Sequence, residues 1–351
     1  RGDQDLSVLL TSKGRGVDRE LETGEEGPLR FMTWNCNGLA LRMKRGDIAE
    51  RFYEQVGEKR PDILCLQEVK LQSEGADRKT VLRGSDDEKQ WEAFMKPLRA
   101  YYDAYLSLSS KRYGGQAVLV RKEHGVPQVS YNMGGESGHY KSGRFIKLEF
   151  KNMVVRAVYA PFNGKGSDKH YQRRREWDEH LRNELTLFDF TRKARFLLGD
   201  LNVVHADSDM TDNPDFWFRQ GRQDGPEGDR GFGGTTYNER KRFKKLIMEA
   251  GMADTFHNPI DDSLRPRHTF RGEGMFLNKG LKLDYMMADE ATQLSGGIKS
   301  SEIMAGTYSR DGFMGSDHAP LWCELHSRWL QRKAQLESLY VRRERSFGRD
   351  V

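Results

Sequence analysis

Asp200 and Asn202 follow the apolar run Phe196-Leu197-Leu198 and the Gly199 that ends it. Alternate side chains of an extended segment share a face, so a carboxylate able to take a proton from water stands beside an amide able to steer that water. Similar groups recur at the ends of other apolar runs. They are Asn35 and Asn37 in Trp34-Asn35-Cys36-Asn37-Gly38, Glu68 after Leu66-Gln67, Tyr159 before Ala160-Pro161, Asp284 in Leu283-Asp284-Tyr285, and Asp317-His318 before Ala319-Pro320. Singly, most have an ordinary reading: the asparagines shape a turn, Glu68 is a surface charge, and Tyr159 is a half-buried phenol. Asp284 differs, because a carboxylate inside an apolar strand needs a partner. Together the groups make a set. Hard oxygen donors without a Cys or His cluster suit Mg²⁺, and a His beside a carboxylate is held protonated. A metal, a cation, an oriented water and a leaving-group stabiliser are the parts needed for attack of water on a phosphodiester.

The elements that must hold these groups are legible as alternating patterns. Strands are predicted at 29–34, 62–66, 104–108, 116–121, 144–150 and 153–160, and several in succession without helices indicate antiparallel pairing. Between the first two lies a helix with Ile48, Phe52 and Val56 on one face, opened by a capping box of Asp47 and Glu50. A short helix carries Trp91, Phe94, Met95 and Leu98 inward, and a long one carries Trp177, Leu181, Leu185 and Phe188 behind the basic cluster Arg173-Arg174-Arg175. After the Asp200 strand comes a helix with Phe243, Leu246, Ile247 and Ala250, then strands near 269–270, 283–288, 302–303 and 320–325. Residues 71–89 read as an insertion or mobile loop, and 204–237 is too long and too rich in Gly and Asp for a simple connection. Strands and helices mixed in two successive halves predict an α/β fold of two packed sheets flanked by helices.

Composition narrows the class of protein. Charged residues make up 32% of the 351, the formal net charge is +5, and mean hydropathy is −0.81. That balance suits a polyanionic partner. No apolar run approaches membrane-span length, so a soluble chain without a membrane partner is expected. Cys36, Cys65 and Cys323 show no metal-ligand spacing and read as reduced structural thiols. Three domains of unequal kind are expected: a loosely attached or disordered tail over 1–28, a folded body over 29–326, and a basic tail over 327–351 with Trp329, Leu336, Leu339 and Tyr340 at helical spacing. The chain starts at Arg1 rather than Met, which reads as a processed or trimmed product.

Taken in order, these motifs resemble the endonuclease/exonuclease/phosphatase superfamily. Within it, Gly199-Asp200-Leu201-Asn202-Val203 with His205, and Arg174 with Trp177 and Asp178, resemble the exonuclease III class of AP (apurinic/apyrimidinic) endonucleases. Lys111-Arg112-Tyr113-Gly114-Gly115, residues 172–175 and Asp215-Phe216 resemble the plant-type AP endonuclease 1-like members. The resemblance spans residues 29–325 and implies a four-layer α/β sandwich, two packed mixed sheets flanked by helices, with the site at the top of both sheets. It implies Mg²⁺, with Mn²⁺ as an alternative, held by Glu68 with Asn37 and Asp317 close by. Asp200 would position or activate water with help from Asn202. His318, polarised by Asp284, would hold a phosphate oxygen, Asn35 would support that network, and Tyr159 would donate to the phosphate and leaving group.

The implied reaction is cleavage 5′ to an abasic deoxyribose in double-stranded DNA, within base excision repair, with 3′-phosphodiesterase or 3′→5′ exonuclease activity at the same site. The implied protein is a monomer of the nucleus, with mitochondrion and plastid as alternatives. Candidate DNA contacts are Tyr113, Lys165, Arg173 and Arg174 for phosphates, Phe270 and Leu281 as walls of the sugar pocket, and Lys165 and Met275 near wedge positions. Two residues depart from the pattern. Phe162 stands where many members carry Asn, with Asn163 one place later, so the amide comes from a shifted loop or is absent. Leu281 stands where some members have Trp. Alternative readings keep the fold and change the substrate to tyrosyl-DNA, an inositol phosphate or sphingomyelin, or make the chain a catalytically silent DNA-binding module.

Overall fold

The computed structural model describes residues 28–134, 141–164, 167–186, 193–211, 213–256, 268–272, 279–305, 313–326 and 329. Residues 1–27 of the N-terminal tail, nearly all of the C-terminal tail, Lys165, Phe188 and Met275 lie outside the described residues.

The first half opens with β1 (Arg30–Asn35), α1 (Leu39–Met43), α2 (Gly46–Lys59) and β2 (Ile63–Gln67). β1 and β2 pair in parallel, a geometry that requires a crossover, and α2 supplies it. A small ribbon of β3 (Ser73–Glu74) and β4 (Thr80–Val81) follows, then α3 (Asp86–Met95), β5 (Tyr102–Ser107) and β6 (Gln116–Arg121). The second half repeats the scheme. β7 (Gln128–Ser130), β8 (Phe145–Glu149) and β9 (Met153–Tyr159) lead through α4 (Asp168–Thr186) to β10 (Ala194–Asp200), which lies parallel to β9. After α5 (Pro214–Gln220) and α6 (Tyr237–Ala250) come β11 (Met252–Asp254), the short pair β12 (Phe270–Arg271) and β13 (Gly280–Leu281), β14 (Asp284–Asp289), α7 (Glu290–Leu294), β15 (Ile298–Ile303) and β16 (Leu321–Leu325).

Two six-stranded sheets result, ordered β15-β16-β1-β2-β6-β5 and β11-β14-β10-β9-β8-β7. Their facing sides bury Phe31, Ile63, Cys65, Val118, Val155, Phe196, Leu198 and Met286 in one core, with Phe31 and Phe196 stacked at 4.9 Å between ring centroids. The outer side of the first sheet buries Trp34, Phe52 and Phe94 against α2 and α3. The outer side of the second buries Trp177, Leu181, Phe243 and Leu246 of α4 and α6. Helix, sheet, sheet and helix form the four layers. All three cysteines are buried free thiols, and among the described residues no helix is long and apolar enough to cross a membrane.

Two local expectations change, and a third gains its physical content. Asp47 does not cap its helix, because α2 begins at Gly46 with Arg45 at the cap, which puts Asp47 inside the first turn. The stretch 71–89 is not a mobile insertion: Leu71 and Val81 are buried, and Ser85 caps α3 by accepting from Glu88 N at 3.1 Å. The stretch 204–237 folds around the fully buried Trp217 of α5, which packs with Val204, Met210, Leu281 and Leu283.

Candidate active site

The site follows from alternation along the strands. On the faces between the sheets, two-residue steps run from Phe31 to Asn35, from Met153 to Tyr159 and from Ala194 to Asp200, while Asp284 opens β14 on the face that carries Met286. Tyr159, Asp200 and Asp284 are direct partners across β9, β10 and β14, so they form one row at the end of the sheet. Gly199 makes this row possible. A Cβ there would lie 2.1 Å from the Val158 carbonyl oxygen, and its φ of +131° is one that side-chain-bearing residues avoid. Immediately beyond the strands, Asn37, Glu68 and Asn202 all adopt the left-handed conformation, with φ of 45°, 51° and 47°. Non-glycine residues held there carry strain that the surroundings must sustain, and such strain clusters at functional sites.

One hydrogen-bonded network joins both sheets. Asn35 Nδ2 donates to Asp200 Oδ2 at 2.9 Å and to Glu68 Oε1 at 3.1 Å, and the Tyr159 hydroxyl donates to Glu68 Oε1 at 2.8 Å. Asn202 donates to Asp200 twice, from its backbone N at 2.8 Å and from Nδ2 at 3.2 Å, while the same Nδ2 reaches the Ala160 carbonyl at 3.0 Å. His318 Nδ1 and Asp284 Oδ2 are 2.7 Å apart, and Thr269 Oγ1 accepts from the backbone N of Leu283 and Asp284 at 3.0 Å each. Trp34 Nε1 donates to the His318 carbonyl at 3.0 Å, which fixes the histidine loop to β1. Asn37 Nδ2 donates to Asp317 Oδ1 at 2.8 Å.

Burial and neighbouring charge divide the titratable groups by role. Burial and the Asp284 charge push Asp200 up to about 7, against the opposing effects of His318, Asn202 and Asn35. This carboxylate can both hold and release a proton near neutrality. For His318, burial alone would favour the neutral ring, but the charge and hydrogen bond of Asp284 outweigh it and keep the imidazolium well above the usual range. Burial and the charge of Glu68 hold the Tyr159 phenol protonated. Glu68 is shifted the other way, since Lys70 and the hydrogen bonds of Asn35 and Tyr159 outweigh its burial and keep it ionised. The row of strand ends therefore brings together groups able to serve as a base, a fixed cation and a proton donor.

Acidic and histidine groups here can bind a metal ion. Asp200, Asp284 and His318 each offer a ligand atom within 4.8 Å of the others, and Asp284 Oδ1 is buried without a hydrogen-bond partner. Glu68 Oε2 and Asn37 Oδ1 already converge on a cation, the Lys70 ammonium, which lies 2.9 Å from the carboxylate oxygen. An all-oxygen set of Glu68, Asn37 and Asp317 suits a hard divalent ion.

The DNA-contact candidates fare unevenly. Tyr113 is 48% exposed, Arg173 is half-buried, and the half-buried Phe270 packs beside His318 with centroids 5.2 Å apart. Arg174 is not available to phosphate: its buried guanidinium donates to the carbonyls of Pro161, Leu201 and Asn202 at 2.9–3.1 Å and pairs with Asp178 at 2.8 Å. Leu281 is not an open pocket wall, because it is fully buried beside Trp217 and Met210. Asn163 does not replace the missing amide. It is fully buried and donates to Glu239 Oε1 at 2.6 Å, leaving the Phe162 ring, half-buried against Gly233 and Phe232, on the loop after Pro161. Lys70, Thr269 and Arg144 escaped the sequence reading, since nothing in their spacing marks them.

This fold and site define a phosphodiester-hydrolysing enzyme. Residues 32–318 match the model of the Endonuclease/Exonuclease/phosphatase family, and the chain belongs to that family. It is 31% identical over 334 residues to a DNA-(apurinic or apyrimidinic site) endonuclease of Arabidopsis thaliana, covering 89% of this chain and 88% of that protein. It is 30% identical over 295 residues to an exodeoxyribonuclease of Bacillus subtilis, covering 84% and 98%. An AP endonuclease structure from Archaeoglobus fulgidus superposes with a TM-score of 0.61 at 23% identity, covering 85% of this chain and all of that one.

Proposed function

We propose that this enzyme is a Mg²⁺-dependent DNA-(apurinic or apyrimidinic site) endonuclease that cuts the phosphodiester 5′ to an abasic deoxyribose. The relatives' names support the substrate, and one observation carries the chemistry. Asp200, pushed up to about 7, lies in one network with the Tyr159 phenol and within ligand-bridging distance of the Asp284-polarised His318.

In this reading Asp200 takes a proton from the attacking water, its carboxylate oriented by Asn35 and Asn202. His318, whose positive charge is held by Asp284, binds a non-bridging phosphate oxygen through its other ring nitrogen as charge builds there. The Tyr159 hydroxyl donates toward the phosphate and the departing 3′-oxygen. Glu68, Asn37 and Asp317 would hold Mg²⁺ or Mn²⁺, which neutralises phosphate charge when bound. The bond from phosphorus to the 3′-oxygen breaks, leaving a 3′-hydroxyl and a 5′-deoxyribose phosphate. An abasic sugar has no base to unstack, which lowers the cost of turning it into the site.

The test is a short duplex with one abasic analogue, incubated with Mg²⁺ or EDTA beside an undamaged duplex and the Asp200→Asn variant. Metal-dependent cleavage 5′ to the lesion, absent with the variant and on intact DNA, is the expected result. Survival of the lesion strand while 3′-blocked ends or other phosphodiesters are hydrolysed would overturn the proposed substrate and leave the catalytic centre standing.

A further inference from the structure

Arg144 stands immediately before β8 and is 1% exposed. Among the described residues it forms no ion pair with a carboxylate. Burying a guanidinium without one is costly, and an apolar side chain of similar volume would avoid that cost. What it touches instead is Tyr159, the proton donor of the proposed reaction, and a second tyrosine at the surface. The guanidinium carbon lies 4.5 Å from the centroid of the Tyr159 ring and 5.5 Å from that of Tyr113. Nη1 donates to the Tyr159 carbonyl at 3.1 Å, Tyr159 N donates back to the Arg144 carbonyl at 3.0 Å, and Nη2 donates to the Tyr113 hydroxyl at 3.0 Å. The backbone is shaped to bring the two tyrosines together. Gly114 has φ +62°, and a Cβ there would meet the Ser142 carbonyl oxygen at 3.0 Å and the Tyr159 ring at 3.6 Å.

We propose that Arg144 is a positioning residue that couples strand docking at the exposed Tyr113 to the placement of the Tyr159 phenol in the site. This rests on the reading of the site as a DNA endonuclease. Gripping Tyr159 by both backbone groups and by one ring face leaves its hydroxyl little freedom except toward Glu68 and the phosphate. Tyr113 sits at the outer end of the same stack. A DNA strand pressed on Tyr113 therefore restricts Arg144, and Arg144 restricts the phenol.

A double-mutant cycle on the abasic duplex tests this, with kcat and KM measured for Arg144→Met, Arg144→Lys, Tyr159→Phe and the Arg144→Met/Tyr159→Phe pair, and with melting curves to confirm folding. Arg144→Met should lower kcat by about 100-fold with KM changed less than about threefold, since a mispositioned proton donor costs rate rather than binding. Arg144→Lys should recover part of the loss. In the Tyr159→Phe background Arg144→Met should add less than about threefold, because both act through one group. Full multiplication of the two losses would overturn the proposal, as would a loss borne by KM alone. If Arg144→Met fails to fold, the same cycle with Arg144→Lys and Tyr113→Phe decides, with coupling expected and independence overturning it. Parent protein that cuts the duplex while the cycle is additive leaves the proposed function intact and removes the role of Arg144. If the parent does not cut, the proposed function fails, and the cycle is run on bis(p-nitrophenyl) phosphate with the same two outcomes.

Discussion

At the scale of single residues, the proposed chemistry rests on Asp200. Three hydrogen bonds are donated to its carboxylate, yet burial and the Asp284 charge still carry it up to about 7. The base form is the carboxylate, so kcat/KM should rise with pH through about 7 and level above it. A rate flat from pH 5 to 8 would rule out Asp200 as the titrating base. Replacing Asp200 by Asn should lower the rate by roughly 10³-fold or more while DNA binding persists, because the group lost acts on the transition state. Their place at strand ends brought Asp200, Asn202, Glu68, Tyr159 and His318 together as a set, although singly most had an ordinary reading, and the family resemblance gave the set its roles. Lys70, Thr269 and Arg144 were invisible for a physical reason. Each acts through a neighbour brought close by the fold, and no local period records that.

Whole elements correct what a single residue suggests, and Arg174 is the case in point. Beside Arg173 and Arg175 it reads as part of a basic cluster, yet on a helix it shares one stripe with Trp177, Leu181 and Leu185, the inward face of α4. The period was there to be read. The charge of the cluster drew attention outward, while the stripe turned Arg174 inward to bind the strand-end carbonyls of Pro161, Leu201 and Asn202. Arg174→Ala should therefore destabilise the protein by about 3–5 kcal/mol, as removal of one partner from a buried ionic network does, and leave the salt dependence of DNA binding unchanged. Arg173→Ala should do the reverse, keeping the melting temperature and reducing the log–log salt slope by about 1, the contribution of one phosphate contact. Denaturant melts and binding titrations over a range of salt separate the two. Asn163 follows the same logic: its type suggested a substrate amide, but the buried Glu239 of α6 claims it.

Across the whole molecule, the two sheets place chemistry and stability at opposite ends of the same strands. The C-terminal ends of β1, β2, β9 and β10 carry Asn35, Glu68, Tyr159 and Asp200, while β2 begins beside Asp62, a strand of five residues and roughly 17 Å away. The alternation that revealed the two-sheet plan was legible, but the knot at this far end was not, since it joins β1, β2 and the turn after β6. Asp62 Oδ2 accepts from the backbone N of Leu29 and Arg30 at 2.9 Å each, its Oδ1 accepts from Arg30 Nη2 at 2.7 Å, and His124 Nε2 lies 3.2 Å from Oδ1. Burial alone would raise this carboxyl, but the hydrogen bonds and charges of His124 and Arg30 outweigh it and hold it well below the usual range. A carboxylate depressed in the folded state stabilises the fold in full above its unfolded pKa of about 3.9 and loses that contribution as pH falls below it. Asp62→Asn should thus cost about 2–4 kcal/mol at pH 7, with the gap to the parent narrowing in denaturant melts at pH 3, and with kcat and KM at pH 7 unchanged. An equal gap at both pH values would show that the knot stabilises through shape rather than charge, and a fall in kcat would show that the two ends of the strands are coupled.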